Sequence, residues 1–581
     1  MMRRLVLALA GLCWANGAIA QATPDTVAAS NPAETRGRGA VVPFVEYEAE
    51  NAVSDGVVIG PDRHFTTIAA EASGRRAVRL DGQARFVEFT LKQAANAVTV
   101  RYAVPDNAQG TGLDATLGVY VEGHRLAALD MTSRYGWFYG AYPFTNRPAD
   151  GRPHHVFDHA RVMFGRTLPA GTVVRLAIGA EDRAPWYVID LADFELVRAP
   201  LSRPPGAVSV VEFGADASGS RDSTAAFARA IATGSRTGRI VWVPPGSFRI
   251  TRHLIVDRVT IAGAGPWYSV LRGKGVGLYG RAAPAGSRGV QLRDFAVIGE
   301  VAERKDKEQV NGIGGAMGGG TVIQNLWLQH HKVGLWFDGP MDGITVRDLR
   351  ILDMTADGLN FHRGVSNALV ENNVIRNVGD DGLAAWSHHQ PDHAITFRNN
   401  TVISPVLANG IAIYGGRDIT VEGNLVADTV TEGGGIHVGN RFDAVPVSGT
   451  IRIADNTILR GGSFDPRWRY GVGALWFYAL DAPIDADIAV SGMDIRDSSE
   501  EALMFTGKPI TGVTLNRVRI DGSGAHAVAL RSAGAATFTS VTSRDAAAAG
   551  ILDCSPGFRI VDGGGNSGLG KPVRDGCQTV P

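Results

Sequence analysis

Residues 355–383 read TADGLNFHRGVSNALVENNVIRNVGDDGL, and this stretch spans one full period of a sequence repeat. The tripeptide Asp-Gly-Leu stands at 357–359 and again at 381–383, an interval of 24 residues, with Asn-Val-Ile at 373–375 between the two copies. A period of about 20–50 residues with short apolar segments is typical of a solenoid. The stretch therefore predicts a parallel β-helix in which each period forms one coil.

The same corner recurs along the second half of the chain. The first four intervals between corners are 23, 25, 27 and 24 residues. Asparagine suits a corner because its amide can hydrogen-bond the backbone of a neighbouring turn and because it tolerates unusual φ angles. A polar residue precedes an apolar alternation at each of these positions: Asn325, Asp348, Asn373, Asn400, Asn424, Asn456 and Asn516.

Three aspartates occupy one phase of two successive coils. Asp357 and Asp381 precede the repeated Gly-Leu, and Asp380 lies beside Asp381, whereas the flanking coils carry Val333 and Asn409 at this position. A single Asp-Gly is an ordinary turn. Coils about 4.8 Å apart would stack these carboxylates, and their repulsion must raise a pKa or be offset by a cation. The pattern favours a catalytic cluster, here called the trio.

Side chains of the kinds that bind sugars accompany the trio on the outward strip of the repeat. Aromatic faces stack on sugar rings, while amides and imidazoles bond hydroxyls. Each of these residues alone is also compatible with core or loop packing. The predicted substrate-binding residues are Asn360, His362, Trp386, His388, Tyr414, His437, Asn440 and Trp476. The His and Cys residues do not have zinc spacing, and no cofactor is expected for catalysis.

The composition of the 581-residue chain limits the remaining options. A net charge of −1 and a pI near 6.9 give no reason to expect nucleic acid or a membrane surface as a partner. Residues 1–20 have the basic start, apolar run and small-residue end of a signal peptide, so we expect a secreted protein. In an oxidising compartment Cys554 and Cys577 are expected to form a disulfide.

The chain divides into two all-β domains by its patterning. Residues 21–40 are small and polar and are expected to be a disordered lead-in. Short alternating strands over 41–198 predict an antiparallel β-sandwich, and the proline-rich residues 199–207 a linker. Residues 208–581 are expected to form the β-helix, with a short helix near 225–232 capping its first coil.

Carboxylates near both ends of the predicted sandwich suggest a metal site. Glu48 and Glu50 lie near its start and Asp190 and Asp193 near its end. The first and last strands of such a sandwich often lie side by side, so these carboxylate oxygens could converge on a calcium ion. Exposed carboxylates on an edge strand are the alternative.

Several of these motifs resemble known families. YEAENA at 47–52 and IDLADFE at 189–195 resemble carbohydrate-binding modules of families 6 and 35, where such segments hold a structural calcium. This resemblance implies that Glu48, Glu50 and Asp193 are the calcium ligands. Residues 213–273, with AGAGP at 262–266, resemble the capping start of pectin-lyase-like right-handed β-helices. The trio most resembles that of glycoside hydrolase family 87, the α-1,3-glucanases and mycodextranases.

The family 87 resemblance implies an enzyme that hydrolyses a neutral α-glucan polysaccharide with inversion, and we expect it to be a monomer. It implies that Asp380 is the general acid and that Asp357 and Asp381 hold and activate the attacking water. Inversion requires acid and base roughly 6.5–9.5 Å apart. Stacked carboxylates are closer than that, so the offset Asp380 is the favoured acid, although the roles can be exchanged.

Three other interpretations remain open at this level. A polygalacturonase-like hydrolase would need Gly-His-Gly and Arg-x-Lys, for which GIHVG at 435–439 is the nearest candidate and no Arg-x-Lys follows on the next coil. A pectate-lyase-like enzyme would need calcium at the trio and an arginine base, with Arg376 and Arg417 available. A non-catalytic, adhesin-like solenoid would need none of the three carboxylates.

Overall fold

The computed structural model describes residue 35, residues 37–467 and residues 469–577. Within this part, an antiparallel β-sandwich precedes a parallel β-helix of about 13 coils, which confirms the predicted fold class. The predicted signal peptide and most of the predicted lead-in lie outside the described residues. At the end of that lead-in, Ala40 is buried against the β-helix, so this end is packed rather than disordered.

The sandwich consists of short strands joined by tight turns. A one-turn helix α1 (Ile68–Glu71) and 3-10 turns at Ala49–Asn51, Ser73–Arg75 and Pro148–Asp150 interrupt them. The strands are β1 (Phe44–Glu48), β2 (Val53–Ser54), β3 (Val57–Ile59), β4 (Ala77–Leu80), β5 (Phe86–Thr90), β6 (Ala95–Ala103), β7 (Asp114–Val121), β8 (His124–Thr132), β9 (Asp158–Leu168), β10 (Val173–Ala177) and β11 (Tyr187–Glu195).

Two antiparallel sheets form the sandwich. One has the order β3-β4-β11-β6-β9 with β1 added to β11, and the other has the order β2-β5-β10-β7-β8. Alternation along the strands sets the core, as in β5, where Val87 and Phe89 are buried and Thr90 is exposed. The first strand lies beside the last, as predicted, and Glu46 is paired in register with Asp193.

A capped first section opens the β-helix. Helix α2 (Thr224–Thr237) places Phe227 and Ile231 against the first coil, which confirms the predicted cap. A 3-10 turn at Val210–Phe213 precedes it. The strands of this section are β12 (Val208–Ser209), β13 (Val241–Val243), β14 (Gly246–Arg249), β15 (Leu254–Ile255), β16 (Thr260–Gly263), β17 (Ser269–Arg272), β18 (Leu278–Tyr279), β19 (Ser287–Arg288), β20 (Gln291–Ile298), β21 (Ile313–Gly315), β22 (Met317–Gly318) and β23 (Thr321–Gln329).

The central coils have three parallel faces. The site face contains β24 (Leu335–Asp338), β27 (Leu359–His362), β30 (Leu383–Trp386), β33 (Ile411–Tyr414), β36 (Ile436–Asn440) and β41 (Leu475–Ala479). The lateral face contains β25 (Met341–Arg347), β28 (Val365–Glu371), β31 (His393–Arg398), β34 (Arg417–Glu422), β37 (Ser448–Ala454) and β42 (Ile484–Ser491). The docking face contains β26 (Arg350–Met354), β29 (Val374–Val378), β32 (Thr401–Pro405), β35 (Leu425–Ala427), β38 (Thr457–Leu459) and β43 (Asp494–Ser498).

Stacked aliphatic side chains fill the interior of the β-helix. Leu335, Leu359, Leu383 and Ile411 are paired in register from coil to coil, and all four are fully buried. These are the apolar residues that follow the repeated glycine, so the core assignment from the repeat is confirmed. The remaining strands form a hairpin and the last coils: β39 (Ser463–Asp465), β40 (Tyr470–Val472), β44 (Leu503–Ser523), β45 (Val528–Ala546), β46 (Ile551–Asp553) and β47 (Phe558–Asp562).

The corner asparagines form a buried ladder. The side-chain amide of Asn373 donates to Oδ1 of Asn400 at 2.9 Å, Asn400 donates to Asn424 at 3.0 Å, and Asn424 donates to Asn456 at 2.9 Å. Each amide also bonds a backbone carbonyl of the preceding coil, as from Asn400 to Val370 at 2.9 Å. Stacked amides therefore satisfy one another and fix the period of the coils.

The sandwich packs on the docking face through buried polar and apolar contacts. Arg376 of β29 forms salt bridges with Glu46 and with Asp193, the latter at 3.0 Å, and all three side chains are buried. His330 is also buried and lies 2.7 Å from Asp158 of the sandwich. Because the sandwich covers this face, the two domains share one interior.

The C-terminal end of the β-helix is closed covalently. Cys554 and Cys577 form the predicted disulfide, with their Cα atoms 5.4 Å apart. Among the described residues, no helix has the length and apolar character needed to cross a membrane.

Candidate active site

The three aspartates lie at stacked corners between the docking face and the site face. Asp357 follows β26, and Asp380 and Asp381 follow β29. Because Leu359 pairs in register with Leu383, the two corners stack as the repeat predicts. One carboxylate oxygen of each aspartate lies within 4.8 Å of those of the other two. The trio is one compact cluster, and the separation of Asp380 expected for an inverting acid is not found.

Asp381 is buried and firmly held. The backbone and side-chain N–H groups of Asn409 both donate to its Oδ1 at 2.9 Å, and the hydroxyl of Tyr414 donates to its Oδ2 at 2.9 Å. Burial and then the charge of Asp380 raise the pKa of Asp381 to about 7, although the three hydrogen bonds act in the opposite direction. Asp381 therefore holds a proton in mildly acidic solution and keeps one orientation.

Asp357 is also buried and has fewer partners. The side-chain amide of Asn360 donates to its Oδ1 at 3.3 Å. Burial, followed by repulsion from Asp380 and Asp381, raises the pKa of Asp357 well above its usual value, and the charge of Arg304 offsets part of this rise. The cluster therefore retains protons at a pH where a solvated aspartate is ionised.

Asp380 is the member of the trio that solvent reaches. Its side chain is 28% exposed, whereas Asp357 and Asp381 are 7% and 3% exposed. The guanidinium of Arg304 forms a salt bridge with Asp380 and also donates to the carbonyl of Gly379 at 3.2 Å. A substrate in the groove would thus meet Asp380 first.

Arg304 was not predicted from the sequence. It lies on the connection between β20 and β21, in the charged segment AERKDKEQ at 302–309, and a charged run of this kind is usually a solvated surface. The available signal was its position, since this long insertion interrupts the repeat two coils before Asp357. Its side chain is only 11% exposed and provides the cation that the stacked carboxylates require.

Three of the predicted sugar-binding residues form a partly exposed aromatic strip. The rings of His362, Trp386 and His388 contact one another, with centroids 4.7–5.1 Å apart, and Nε2 of His362 is 3.0 Å from Nδ1 of His388. Trp336 of the preceding coil, which was not predicted, lies 5.2 Å from His362. Such partly exposed rings suit stacking on pyranose faces. The strip begins on the coil of Asp357 and runs along the site face.

Two further predicted residues contact the trio itself. Tyr414 bonds Asp381 and Asn360 bonds Asp357, and both side chains are buried. They hold the carboxylates rather than presenting free polar groups to a sugar. Both residues therefore lie at the site, but their role in the structure differs from the predicted contact with a sugar.

The remaining predicted sugar contacts are buried away from the groove. His437, Asn440 and Trp476 are at most 1% exposed. Asn440 donates to the carbonyl of Pro483 at 2.7 Å and accepts from the backbone N–H of Val447 at 2.8 Å, so it anchors two connections. Burial holds the pKa of His437 well below its usual value, and the ring packs 4.4 Å from Trp476. Direct sugar contact is therefore not supported for these three residues.

The predicted calcium ligands separate into two groups. Asp193 accepts from Arg376 through its Oδ2 at 3.0 Å, while its buried Oδ1 makes no hydrogen bond within the described residues. Asp190 is held at both oxygens, since its Oδ1 accepts from the backbone N–H of Ser73 at 3.0 Å and its Oδ2 accepts from the buried Arg101 at 2.6 Å. The structure therefore leaves calcium coordination by Asp193 as a prediction and offers no free oxygen on Asp190.

Glu48 and Glu50 do fit a cation. Each has a buried carboxylate oxygen that makes no hydrogen bond within the described residues. Ser73 joins Glu48 to Asp190, because its hydroxyl donates to Glu48 at 2.8 Å and its backbone N–H donates to Asp190 at 3.0 Å. Burial and neighbouring carboxylates raise the pKa of Glu48 well above its usual value. Oxygen-only donors of this kind suit calcium.

The arginines considered for a lyase are not at the trio. Arg376 is buried in salt bridges under the sandwich. Arg417 lies on the lateral face, where it pairs with Asp418 at 2.8 Å. Neither guanidinium is placed to remove a proton from a sugar bound at the trio.

Comparisons with known proteins agree along nearly the whole chain. Family models described as α-1,3-glucanase catalytic domains D1 and D2 match residues 41–197 and 216–550. Among curated proteins, no relative matches the chain. The sandwich thus matches a part of the catalytic unit, and the comparisons do not show the resemblance to carbohydrate-binding modules of families 6 and 35.

Solved structures give the same result. The catalytic unit of a thermostable GH87 α-1,3-glucanase from Streptomyces thermodiastaticus is 41% identical, with a TM-score of 0.85, covering 94% of this chain and 100% of that one. The catalytic domain of a GH87 α-1,3-glucanase with nigerose is 26% identical, with a TM-score of 0.79 and coverages of 91% and 100%. Aspartate-to-alanine variants solved with tetrasaccharides are 25% identical, with TM-scores of 0.80 and the same coverages.

These matches span both domains, and the site face carries acidic and aromatic groups suited to an oligosaccharide. The chain is therefore a glycoside hydrolase and belongs to the GH87 α-1,3-glucanase catalytic domain family.

Proposed function

We propose that this protein hydrolyses α-1,3-linked glucan at the trio by an inverting acid–base mechanism. The observation that carries the proposal is the compact cluster of Asp357, Asp380 and Asp381 together with the partly exposed rings of His362 and Trp386 on the site face. Carboxylates combine proton transfer with water activation, and rings hold pyranoses. Family relatives have been solved with nigerose, which is an α-1,3-linked glucose disaccharide.

The spacing of the trio supports the assignment. In GH87 α-1,3-glucanase structures with nigerose or tetrasaccharides, single aspartates have been replaced by alanine at three positions separated by 23 residues and by 1 residue. Asp357, Asp380 and Asp381 have the same two intervals. We infer that these are the corresponding positions.

In the proposed reaction, Asp380 delivers a proton to the glycosidic oxygen, because it is the most exposed of the three carboxyls. Because the pKa values of Asp357 and Asp381 are raised, the cluster retains a proton that can pass to Asp380. Water held by the two buried carboxyls attacks the anomeric carbon, loses a proton to their ionised member, and the C–O bond to the leaving sugar breaks. No covalent intermediate is required.

Burial is the argument for inversion. A short carboxylate spacing by itself is the arrangement of retaining enzymes, in which a carboxylate must touch the anomeric carbon. Asp381 is only 3% exposed and both of its oxygens accept hydrogen bonds, so a water fits between it and the sugar better than direct attack does.

The stereochemistry is tested by ¹H NMR of the first products from a soluble α-1,3-gluco-oligosaccharide. Inversion releases the β-anomer before mutarotation, whereas α-anomer as the first product would refute the mechanism. An unsaturated product would instead establish the lyase interpretation. Binding of the oligosaccharide without any product would support the non-catalytic solenoid.

We also propose that the sandwich holds a structural calcium through Glu48 and Glu50. The two unpartnered oxygens of Glu48 and Glu50 support it, since a divalent cation would stabilise carboxylates buried at such cost. Chelator should lower the Tm of the wild type, and calcium should restore it. Glu50→Gln should lower the Tm without chelator and remove the response; an unchanged Tm with chelator would contradict the site.

Export and a monomeric state complete the proposal. The basic and apolar pattern of residues 1–20 supports export, and one chain provides every group of the trio and its partners. Fractionation of expressing cells should place the protein outside the cytoplasm, with an N-terminus after residue 20. Light scattering should give the mass of one chain, and a dimer mass would contradict the monomer.

A further inference from the structure

We propose that the sandwich domain positions the proton donor of the active site, through a relay that runs from Tyr142 by way of Asp306 and Arg304 to Asp380. The inference rests on the proposed function of Asp380 and adds a role for the first domain. Arg304, Asp306 and Tyr142 are positioning residues in this relay, since they act on the reaction through Asp380.

The relay is continuous in hydrogen bonds. Nε of Arg304 donates to Asp306 at 3.0 Å, while its terminal nitrogens engage Asp380 and the carbonyl of Gly379. The hydroxyl of Tyr142, on the sandwich, donates to the other oxygen of Asp306. One side of the guanidinium is therefore held by Asp306, and its other side holds Asp380 and the backbone of Gly379.

The loop that carries Arg304 is held from two sides. The ammonium group of Lys332, from the coil below, donates to the carbonyls of Asp306 and Glu308 at 2.8 Å and 2.6 Å. The side-chain amide of Asn146, on the sandwich, donates to the carbonyl of Ala302 at 2.9 Å. Without the sandwich, the contacts that Tyr142 and Asn146 make with this loop would be lost. The contacts from Lys332 would remain.

The chemistry explains why such a relay would matter. When Asp380 gives up its proton it becomes a carboxylate beside two other carboxyl groups, and a fixed guanidinium stabilises the charge that develops. The other titratable groups facing the trio are Lys332, Tyr414 and Glu432. Because Arg304 is bonded at both ends, it provides this charge without reorganising during the reaction.

The test compares Arg304→Gln, Arg304→Lys and Tyr142→Phe with the control Arg398→Gln, which removes an arginine paired with Glu371 on the lateral face. We expect kcat on α-1,3-gluco-oligosaccharide to fall about 10²-fold in Arg304→Gln with little change in KM. Arg304→Lys should retain part of the rate, Tyr142→Phe should lose about 3- to 10-fold, and Arg398→Gln should match the wild type.

A second readout separates positioning from a general loss of structure. Loss of a cation raises the pKa values of nearby carboxyls, so both limbs of the pH–rate profile of Arg304→Gln should move to higher pH. Wild-type kcat and pH profile in Arg304→Gln would overturn the proposal. Equal losses in Tyr142→Phe and Arg398→Gln would overturn the role of the sandwich.

Failure of the proposed function would be recognised separately. If the wild type cleaves no α-1,3-glucan, the trio can still be titrated through the pH dependence of Tm. Removing Arg304 should extend the alkaline loss of stability to higher pH, because the folded-state carboxyl pKa values rise. Identical profiles in Arg304→Gln and the wild type would refute the link between Arg304 and the trio whatever the substrate is.

Discussion

At the scale of the residue, the protein places two carboxyl groups where burial makes ionisation unfavourable. Asp381 accepts three hydrogen bonds and still has its pKa raised to about 7. Its folded-state pKa lies above the unfolded value, so its contribution to stability is complete below about pH 4 and is lost as the pH rises through about 7. Catalytic competence is thus obtained at the expense of stability at neutral pH.

Asp381→Asn should therefore abolish activity and stabilise the fold. The amide can still accept from Asn409 and can donate to Tyr414, so the geometry survives while the titration disappears. We expect kcat to fall by at least about 10²-fold and Tm to rise by about 2 °C at pH 8, with a smaller rise at pH 5. Asp487→Asn, at an exposed position on β42, should change neither quantity. A lower Tm at pH 8 would contradict the account.

The same carboxyl groups set the pH dependence of the rate. Proton donation requires that the cluster keep a proton, and the raised pKa of Asp381 keeps it there up to about pH 7. We expect kcat/KM to decline above about pH 7 and not at the pKa of a solvated aspartate. Initial rates on a soluble oligosaccharide from pH 4 to 9 measure this. A decline centred near pH 4 would mean that the trio is fully ionised in the active enzyme.

At the scale of the element, the asparagine ladder sets the coil period. Asn400 donates to Val370 and Asn424 and accepts from Asn373, all in the interior. Asn400→Ala should leave several buried groups unpaired and cost about 2–4 kcal/mol. Asn516→Ala removes an exposed asparagine of β44 that lies outside the ladder and should cost little. Thermal unfolding of both variants measures the difference, and equal Tm values would show that the ladder adds no stability.

The repeat carried most of what the sequence could predict. Its period placed Asn373, Asn400, Asn424 and Asn456, the core leucines and the stacked trio correctly, because residues one coil apart must lie next to each other. Asn325, Asp348 and Asn516 are exposed and lie outside the ladder. Arg304 was not predictable in this way, since it lies on an insertion outside the repeat and its position depends on contacts from Tyr142 and Asn146.

Burial limits what the repeat could predict. His437 and Trp476 have the outward phase of the site face but are fully buried. A repeat gives the direction of a side chain, but it does not reveal what covers that side chain.

At the scale of the whole molecule, the two domains act as one unit. Arg376 is the clearest link, with salt bridges to Glu46 and Asp193 in the buried interface. Arg376→Met should leave two buried carboxylates without their cation and destabilise the protein by about 3–5 kcal/mol. Arg417→Met, at the exposed pair with Asp418, should have little effect. Calorimetry should show a lower or split transition only for Arg376→Met, and an unchanged transition would contradict a shared interior.

The most direct test of the central claim is the release of reducing ends from purified α-1,3-glucan by the wild type and by Asp380→Asn, with polygalacturonate and dextran as comparison substrates. The account predicts cleavage of α-1,3-glucan alone, without unsaturated sugars, and a loss of at least about 10²-fold in Asp380→Asn. Wild-type rates in Asp380→Asn, or cleavage of polygalacturonate in preference to α-1,3-glucan, would contradict it.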